Sequence, residues 1–336
     1  MGQSTPNDDL RARVLAEVRR ADGIDQHLKQ HYGVEVTSMA SLDGVWGRVR
    51  RVELRDGALW VVRVFSEHRP AERVHGDAEI LRFVEHHGFP AERCAHHDAV
   101  SRYEDQTLLV TTHVDGVTSD ITVEHEAALA DLLGRLHALP TGEGAAARPG
   151  GALHHDPARE GRPHEDLVAA NGFLDAAEIA INTEQRPLLE RLRKLVGAAD
   201  GCEGLPEALL HPDMVGPNVP VTESGERVAV DWTGAGRGPR LASLAFLLWG
   251  AGLKPGGDAS IIDAIVRSYR RHVELTAEEV DRLPAAMRVR PAYFASWGLW
   301  RAIEKGQQIT GTERWWPDPE LGEAIATSTR SALARR

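Results

Sequence analysis

Four polar side chains fall within one short stretch, LLHPDMVGPNVPVTESGERVAVDW (209–232): His211, Asp213, Asn218 and Asp231. Two carboxylates and an amide are hard oxygen donors. A set this small suits Mg²⁺ held jointly with the phosphates of a substrate. It cannot close a calcium cage, and no thiol lies nearby for a soft metal. If two of the three groups hold Mg²⁺, the third is left to orient and deprotonate an attacking hydroxyl. The competing reading is a set of turn residues, since Asp and Asn cap and bend backbone. That suits any one of them alone better than all four, bracketed by PNVPV and RVAVDW, two runs with strand character.

The elements that must position these groups are legible in outline. Leu10, Val14, Leu15 and Val18 share one face of a helix over 7–22, within an N-terminal helical segment, residues 1–30. A strand-rich part, 31–114, follows. In it VRRVELRDGALWVVRVF (49–65) folds back at Asp56-Gly57 as a hairpin, RPAERVHGDAEILRFVEHHG (69–88) is helical up to Gly88, and TLLVTTHV (107–114) is a short strand. From 115 to 336 the pattern is mainly helical. Leu129, Leu132, Leu133 and Leu136 recur at helical spacing before Pro140, and helix resumes over 184–199 behind a cap at Asn182 or Thr183. Thr276 and Glu279 form a capping box. The Gly-, Pro- and His-rich segment 141–166 lacks periodicity and reads as an exposed insertion. The order predicts an α+β chain of two lobes.

Bulk properties narrow the partners. With 42% hydrophobic and 26% charged residues the composition is that of an ordinary soluble enzyme. A net charge of −11 argues against nucleic acid, which demands a basic face, and is compatible with a cationic small molecule. Two distant cysteines, Cys94 and Cys202, and no apolar N-terminal segment point to the cytoplasm. The longest apolar run, LASLAFLLWGAG (241–252), is too short to span a bilayer and reads as a buried helix, so no membrane partner is expected.

His211-x-Asp213-x-x-x-x-Asn218, followed by an apolar run ending Val230-Asp231-Trp232, resembles the catalytic and metal motifs of the aminoglycoside phosphotransferase and choline kinase-like family. GRLHALP (134–140) and GAGRGPRLASLA (234–245) add to the likeness, which covers roughly residues 35–250. The resemblance implies a two-lobed protein-kinase-like fold with an antiparallel sheet and helix in the first lobe. It also implies an ATP- or GTP- and Mg²⁺-dependent phosphotransferase acting on a hydroxyl of a small molecule. In that reading Asp213 is the base, His211 braces its loop, and Asn218 and Asp231 hold the metal. Arg63 stands at the phosphate-binding lysine position and Glu79 at its helix-borne partner. The backbones of Thr112 and Val114 read the adenine, Thr111 lines the back of its pocket, and Gly44 and Gly47 approach the phosphates.

Four features depart from the family pattern: the glycine-rich stretch is reduced to SLDGVWGRV (41–49), which suits an ordinary hairpin loop equally, and three single positions differ. Arg63 replaces lysine, Pro212 stands where glycine is usual, and Ser243 stands where an aspartate helps hold the catalytic loop. They motivate the alternative of a nucleotide-binding protein with little catalysis. The acceptor is open: an aminoglycoside-type antibiotic, choline, a sugar or another cationic metabolite, handled by a monomer or homodimer. Trp297, Trp300, Trp315 and Trp316 offer faces on which a cation could stack, and Glu304 offers it a carboxylate. Trp297 and Trp300, at helical spacing, suit a core better than a ligand site.

Overall fold

The computed structural model describes residues 23–42, 48–118, 122–153, 159–252, 259–307 and 319–334. The chain divides into two compact units, residues 1–86 with 90–115, and residues 87–89 with 116–336. The helix expected over 7–22 lies outside the described residues.

The first unit is an antiparallel five-stranded sheet in the order β1-β2-β3-β5-β4. Its strands are β1 (Val36–Ser41), β2 (Val49–Leu54), β3 (Leu59–Val64), β4 (Val100–Tyr103) and β5 (Gln106–Thr112), joined by helices α1 (Ile24–Tyr32) and α2 (Ala71–His86). Asp56-Gly57 makes the expected hairpin. Gly57 adopts φ 86°, where a Cβ is unwelcome, and Asp56 Oδ1 accepts the Ala58 N–H at 3.0 Å. That turn sets the register Val49↔Arg63 and Glu53↔Leu59. β3, central in the sheet, is buried from Trp60 through Arg63. α2 closes over the core with Val74, Ile80, Leu81 and Val84, and Gly88 follows it at φ 65°.

The second unit is helical around a two-stranded antiparallel sheet, β6 (Glu207–Leu210) with β7 (Gly236–Pro239). Its helices are α3 (Val123–His137), α4 (Glu165–Ala180), α5 (Arg186–Gly197), α6 (Arg240–Gly252), α7 (Ala259–Arg270), α8 (Ala277–Ala286), α9 (Val289–Glu304) and α10 (Pro319–Ala334). The predicted capping box forms at Thr276 and Glu279, whereas α5 begins at Arg186 behind Gln185 without a side-chain cap, and Asn182 Oδ1 accepts the Gln185 N–H at 2.9 Å in the turn before it. Leu129, Leu132, Leu133 and Leu136 are all buried. A Cβ on Gly134 would stand 2.9 Å from the Tyr269 carbonyl, so glycine lets α3 and α7 approach closely, and His137 Nδ1 meets the Tyr269 hydroxyl at 2.8 Å. Among the described residues no helix is long and apolar enough to cross a membrane.

Two expectations change. PNVPV and RVAVDW are not regular strands. Gly216–Asn218 is a turn of 3-10 helix, and the arms meet through single bonds: Val230 N–H to Asn218 O (2.9 Å), Val228 N–H to Pro220 O (3.1 Å) and Thr222 N–H to Glu226 O (2.9 Å). Pro217 and Pro220 lack the N–H groups a full ladder needs. Nor are the described residues of 141–166 an exposed insertion throughout. Residues 148–152 run beside β7, with Gly150 N–H bonded to Arg237 O (3.1 Å) and Gly151 N–H to Gly234 O (2.9 Å). A Cβ on Gly150 would lie 2.5 Å from Gly236 Cα. The glycines mark abutting backbones, and composition alone reads them as loop.

Candidate active site

β6 delivers the chain to His211, which is buried. Its Nδ1 lies 3.1 Å from the Asp213 N–H and so accepts, which leaves the proton on Nε2 to be donated to Val230 O at 3.0 Å. Neutral His211 thus joins the two arms. Trp232, equally buried, sits edge-on between His211 (5.0 Å between ring centroids) and Phe89 (5.8 Å), and donates from Nε1 to Ala229 O at 3.0 Å. Its packing fixes the residue that follows Asp231.

Asn218 turns its Nδ2 group on Asp213, donating to the main-chain oxygen (2.9 Å) and to Oδ2 (3.0 Å). Both partners are acceptors, so the amide is oriented unambiguously and Oδ1 presents its lone pairs elsewhere. Asp231 adopts φ 64°, a left-handed conformation that Asp tolerates better than most residues, and its carboxylate is exposed. Val230 N–H to Asn218 O places Asn218 and Asp231 on adjoining positions of the two arms. The donor set is therefore one amide oxygen and one exposed carboxylate beside a third, half-buried one. It fits Mg²⁺ completed by phosphate oxygens and water, and no described cluster of three His, Cys, Asp or Glu side chains offers a closed cage.

Burial pushes the Asp213 carboxyl above its ordinary range. The Arg290 charge pulls it back, the Asp231 charge pushes it further, and the Asn218 hydrogen bond lowers it again. Two residues around this loop carry no motif that sequence reasoning could use. Arg290, on α9, donates from one nitrogen to both Pro212 O and Gly151 O at 2.8 Å, and Arg148 donates to Ala235 O at 2.9 Å, behind Asp231.

In the first unit the expected pairing of Arg63 with Glu79 is corrected. Arg63 is buried and forks onto Glu92, Nη1 to Oε2 at 3.0 Å and Nη2 to Oε1 at 3.1 Å, while Glu79 is exposed on α2. Thr111 completes this network. Its hydroxyl donates to Glu92 (2.7 Å) and accepts from Arg63 (2.9 Å). The Thr112 N–H is committed to Arg93 O (2.8 Å), and Val114 is half-buried beyond it. Gly44, Gly47, Trp315 and Trp316 lie outside the described residues. Trp300 stacks on Phe173 (5.3 Å) against the core of α4, α5 and α9, Trp297 is 45% exposed, and Glu304 pairs with Arg301 at 3.3 Å. The structure thus parts Trp300, partly buried against that core, from the exposed Trp297.

A family described as "Phosphotransferase enzyme family" matches residues 42–288. No match appears among curated protein sequences. Several solved structures share the fold at low identity. One is the choline kinase LicA from Streptococcus pneumoniae, 13% identical over 93% of this chain and 98% of that one, with TM-score 0.57. Another is the amicoumacin kinase hAmiN in complex with AMP-PNP, Ca²⁺ and Ami, 16% identical over 95% of each chain, with TM-score 0.59. A third is aminoglycoside phosphotransferase APH(3'')-Id from Streptomyces rimosus with ADP and streptomycin, 17% identical over 81% of this chain and 98% of that one, with TM-score 0.55. These likenesses agree with an α+β kinase-like fold. A family match spanning well over half the chain makes it a member of the phosphotransferase enzyme family of small-molecule kinases.

Proposed function

We propose that the chain moves the γ-phosphoryl group of ATP or GTP to a hydroxyl of a small molecule, with Asp213 as base and Asn218 and Asp231 as the Mg²⁺ ligands. The observation that carries this reading is the orientation of Asn218. Its two N–H groups hold Asp213 in place and turn its own oxygen away from them, the oxygen that together with Asp231 would meet the metal. Asp213 accepts the hydroxyl proton as the acceptor oxygen bonds to phosphorus and the bond to the bridging oxygen breaks, releasing the nucleoside diphosphate. Bound at Asn218 and Asp231, Mg²⁺ would offset charge on the phosphates. A base held above the usual carboxylate range is better matched to an alcohol proton near neutral pH.

For the nucleotide, Val114 is proposed to meet the adenine, with Thr112 and Thr111 behind it and Gly44 and Gly47 along the phosphates. Arg63 serves there as the anchored base of that wall. The acceptor class proposed is an aminoglycoside-type antibiotic or another cationic metabolite, supported by the named ligands of the similar structures and by the net charge of −11. Trp297, exposed on α9, remains the aromatic candidate for that ligand. A second reading, a nucleotide binder with feeble catalysis, draws on the engagement of Arg63 with Glu92, which withdraws the guanidinium from the role of a phosphate-binding lysine.

The test is Mg²⁺-dependent transfer from ATP and GTP to a panel of aminoglycosides, choline and sugars. Asp213→Ala is expected to lower kcat by about 10²–10⁴-fold and to leave nucleotide binding intact. Asp231→Ala is expected to remove the Mg²⁺ dependence of nucleotide-induced thermal stabilisation. Nucleotide binding without transfer to any acceptor would select the second reading.

A further inference from the structure

The catalytic loop is held by a device that the family motif does not contain. Ser243 stands where an aspartate was expected to hold the loop. It is half-buried in α6, and among the described residues its hydroxyl has no hydrogen-bond partner. A different charged pair reaches the same loop. Arg290 is 4% exposed and Asp166 fully buried, with Arg290 Nη1 at 3.0 Å from Asp166 Oδ2. The two hydrogens of Arg290 Nη2 go to two main-chain oxygens, Gly151 O and Pro212 O, each at 2.8 Å. Pro212 directly precedes Asp213, and Gly151 belongs to the segment bonded to Gly234 behind Asp231. Asp166 Oδ2 also accepts the Leu153 N–H at 3.3 Å, and the Arg290 guanidinium lies over the Phe246 ring, 5.4 Å from its centroid. One buried cation thus ties α9, α4, the 148–153 segment and the catalytic loop together.

We propose that Arg290, oriented by Asp166, is a positioning residue for phosphoryl transfer, fixing the Pro212 carbonyl and with it the main chain that carries Asp213. The inference rests on the assignment of Asp213 as base made above. It also accounts for the tolerance of Ser243: a buried donor to a main-chain carbonyl holds the loop where a carboxylate does not. The role calls for a planar fork, because two carbonyls and a carboxylate must be met from one side chain, which a lysine ammonium on a thinner stem cannot match. Arg290 lies two residues (290 − 288) beyond the span matched by the family, so the brace comes from outside the shared motif region.

The experiment pairs steady-state kinetics with hydrogen exchange of the full chain. In Arg290→Gln, kcat is expected to fall about 10–100-fold with nucleotide KM within about twofold, as for residues supporting a site's direct ligands. Arg290→Lys is expected to recover part of that loss. Amide exchange in peptides covering 209–219 should rise in Arg290→Gln while the five-stranded sheet of the first unit stays protected. Arg282→Gln breaks another ion pair of the second unit, with Asp200 at 2.6 Å, and should change neither kcat nor exchange over 209–219. If Arg290→Gln will not fold, Arg290→Lys carries the same two measurements, since it keeps a charge beside Asp166 and loses the fork. Unchanged exchange over 209–219 in a folded Arg290 variant overturns the proposal, whatever the kinetics. Selective exchange there in a chain that transfers no phosphate would uphold the brace and reject the kinase assignment instead. A uniform rise in exchange with kcat unaltered would mark Arg290 as structural only and also overturn it.

Discussion

Asn218 spends both amide hydrogens on a single residue, and Arg63 spends its fork on a single carboxylate. The two cases differ in how far a sequence could foresee them. Asn218 and Asp213 stand five apart in one loop, so identity and spacing carried the assignment. The partner of Arg63 is 29 residues away, past the end of α2, and nothing local distinguishes Glu92 from the exposed Glu79. Burial decides between them, and burial is a property of the fold. Removing one member of a buried ion pair leaves an uncompensated charge and typically costs about 3–5 kcal/mol. Glu92→Ala is therefore expected to lower stability by an amount of that order, whereas Glu79→Ala should stay within about 0.5 kcal/mol of the parent. Urea denaturation of the two variants checks the contrast. Equal effects would show that Arg63 has exchanged partners.

At the scale of elements, periodic segments were the legible ones. The leucines of α3, the Asp56-Gly57 turn and the Thr276 capping box each carry a local signal strong enough to survive tertiary context. The segment 148–152 was misread because its glycines serve packing with β7. Gly150→Ala should cost about 1–3 kcal/mol or more, because its Cβ would meet Gly236 main chain at 2.5 Å with no flexible atom to yield. Gly142→Ala, with nothing within 4 Å, should be close to neutral, and thermal melts of the pair provide the measurement.

The α3–α7 contact adds a pH dependence. Burial, then the nearby Arg240 charge, lowers the His137 pKa from 6.5 to about 3. Between those values the unfolded chain binds a proton that the folded chain refuses, so stability falls as pH drops from 6.5 towards 3 and is unaffected by this group above 6.5. The slope from His137 is at most about 1.4 kcal/mol per pH unit. His137→Gln is expected to flatten the denaturation midpoint between about pH 6 and pH 4. An unchanged slope would place the acid sensitivity elsewhere.

For the whole molecule, composition narrowed the expectations without specifying a partner. A net charge of −11 spoke against nucleic acid without naming an acceptor, because charge acts at long range and a binding site is local. If the acceptor is polycationic, part of its encounter rate is electrostatic. Its kcat/KM should then fall several-fold as KCl rises from about 0.05 to 0.5 M, while that of a neutral sugar changes less than about twofold. Parallel salt titrations with the two acceptor types make the comparison, and identical responses would remove long-range attraction from the account.

The left-handed backbone at Asp231 restricts which variants of this chain could persist unnoticed. Asparagine tolerates such a φ about as well as aspartate, keeps one oxygen and loses the negative charge. A lineage drifting to asparagine there would retain its backbone shape, yet, on the proposed assignment, surrender the anionic half of the metal grip. Loss of catalysis in this architecture can thus be structurally silent, one atom wide, and invisible to any assay that reads folding alone.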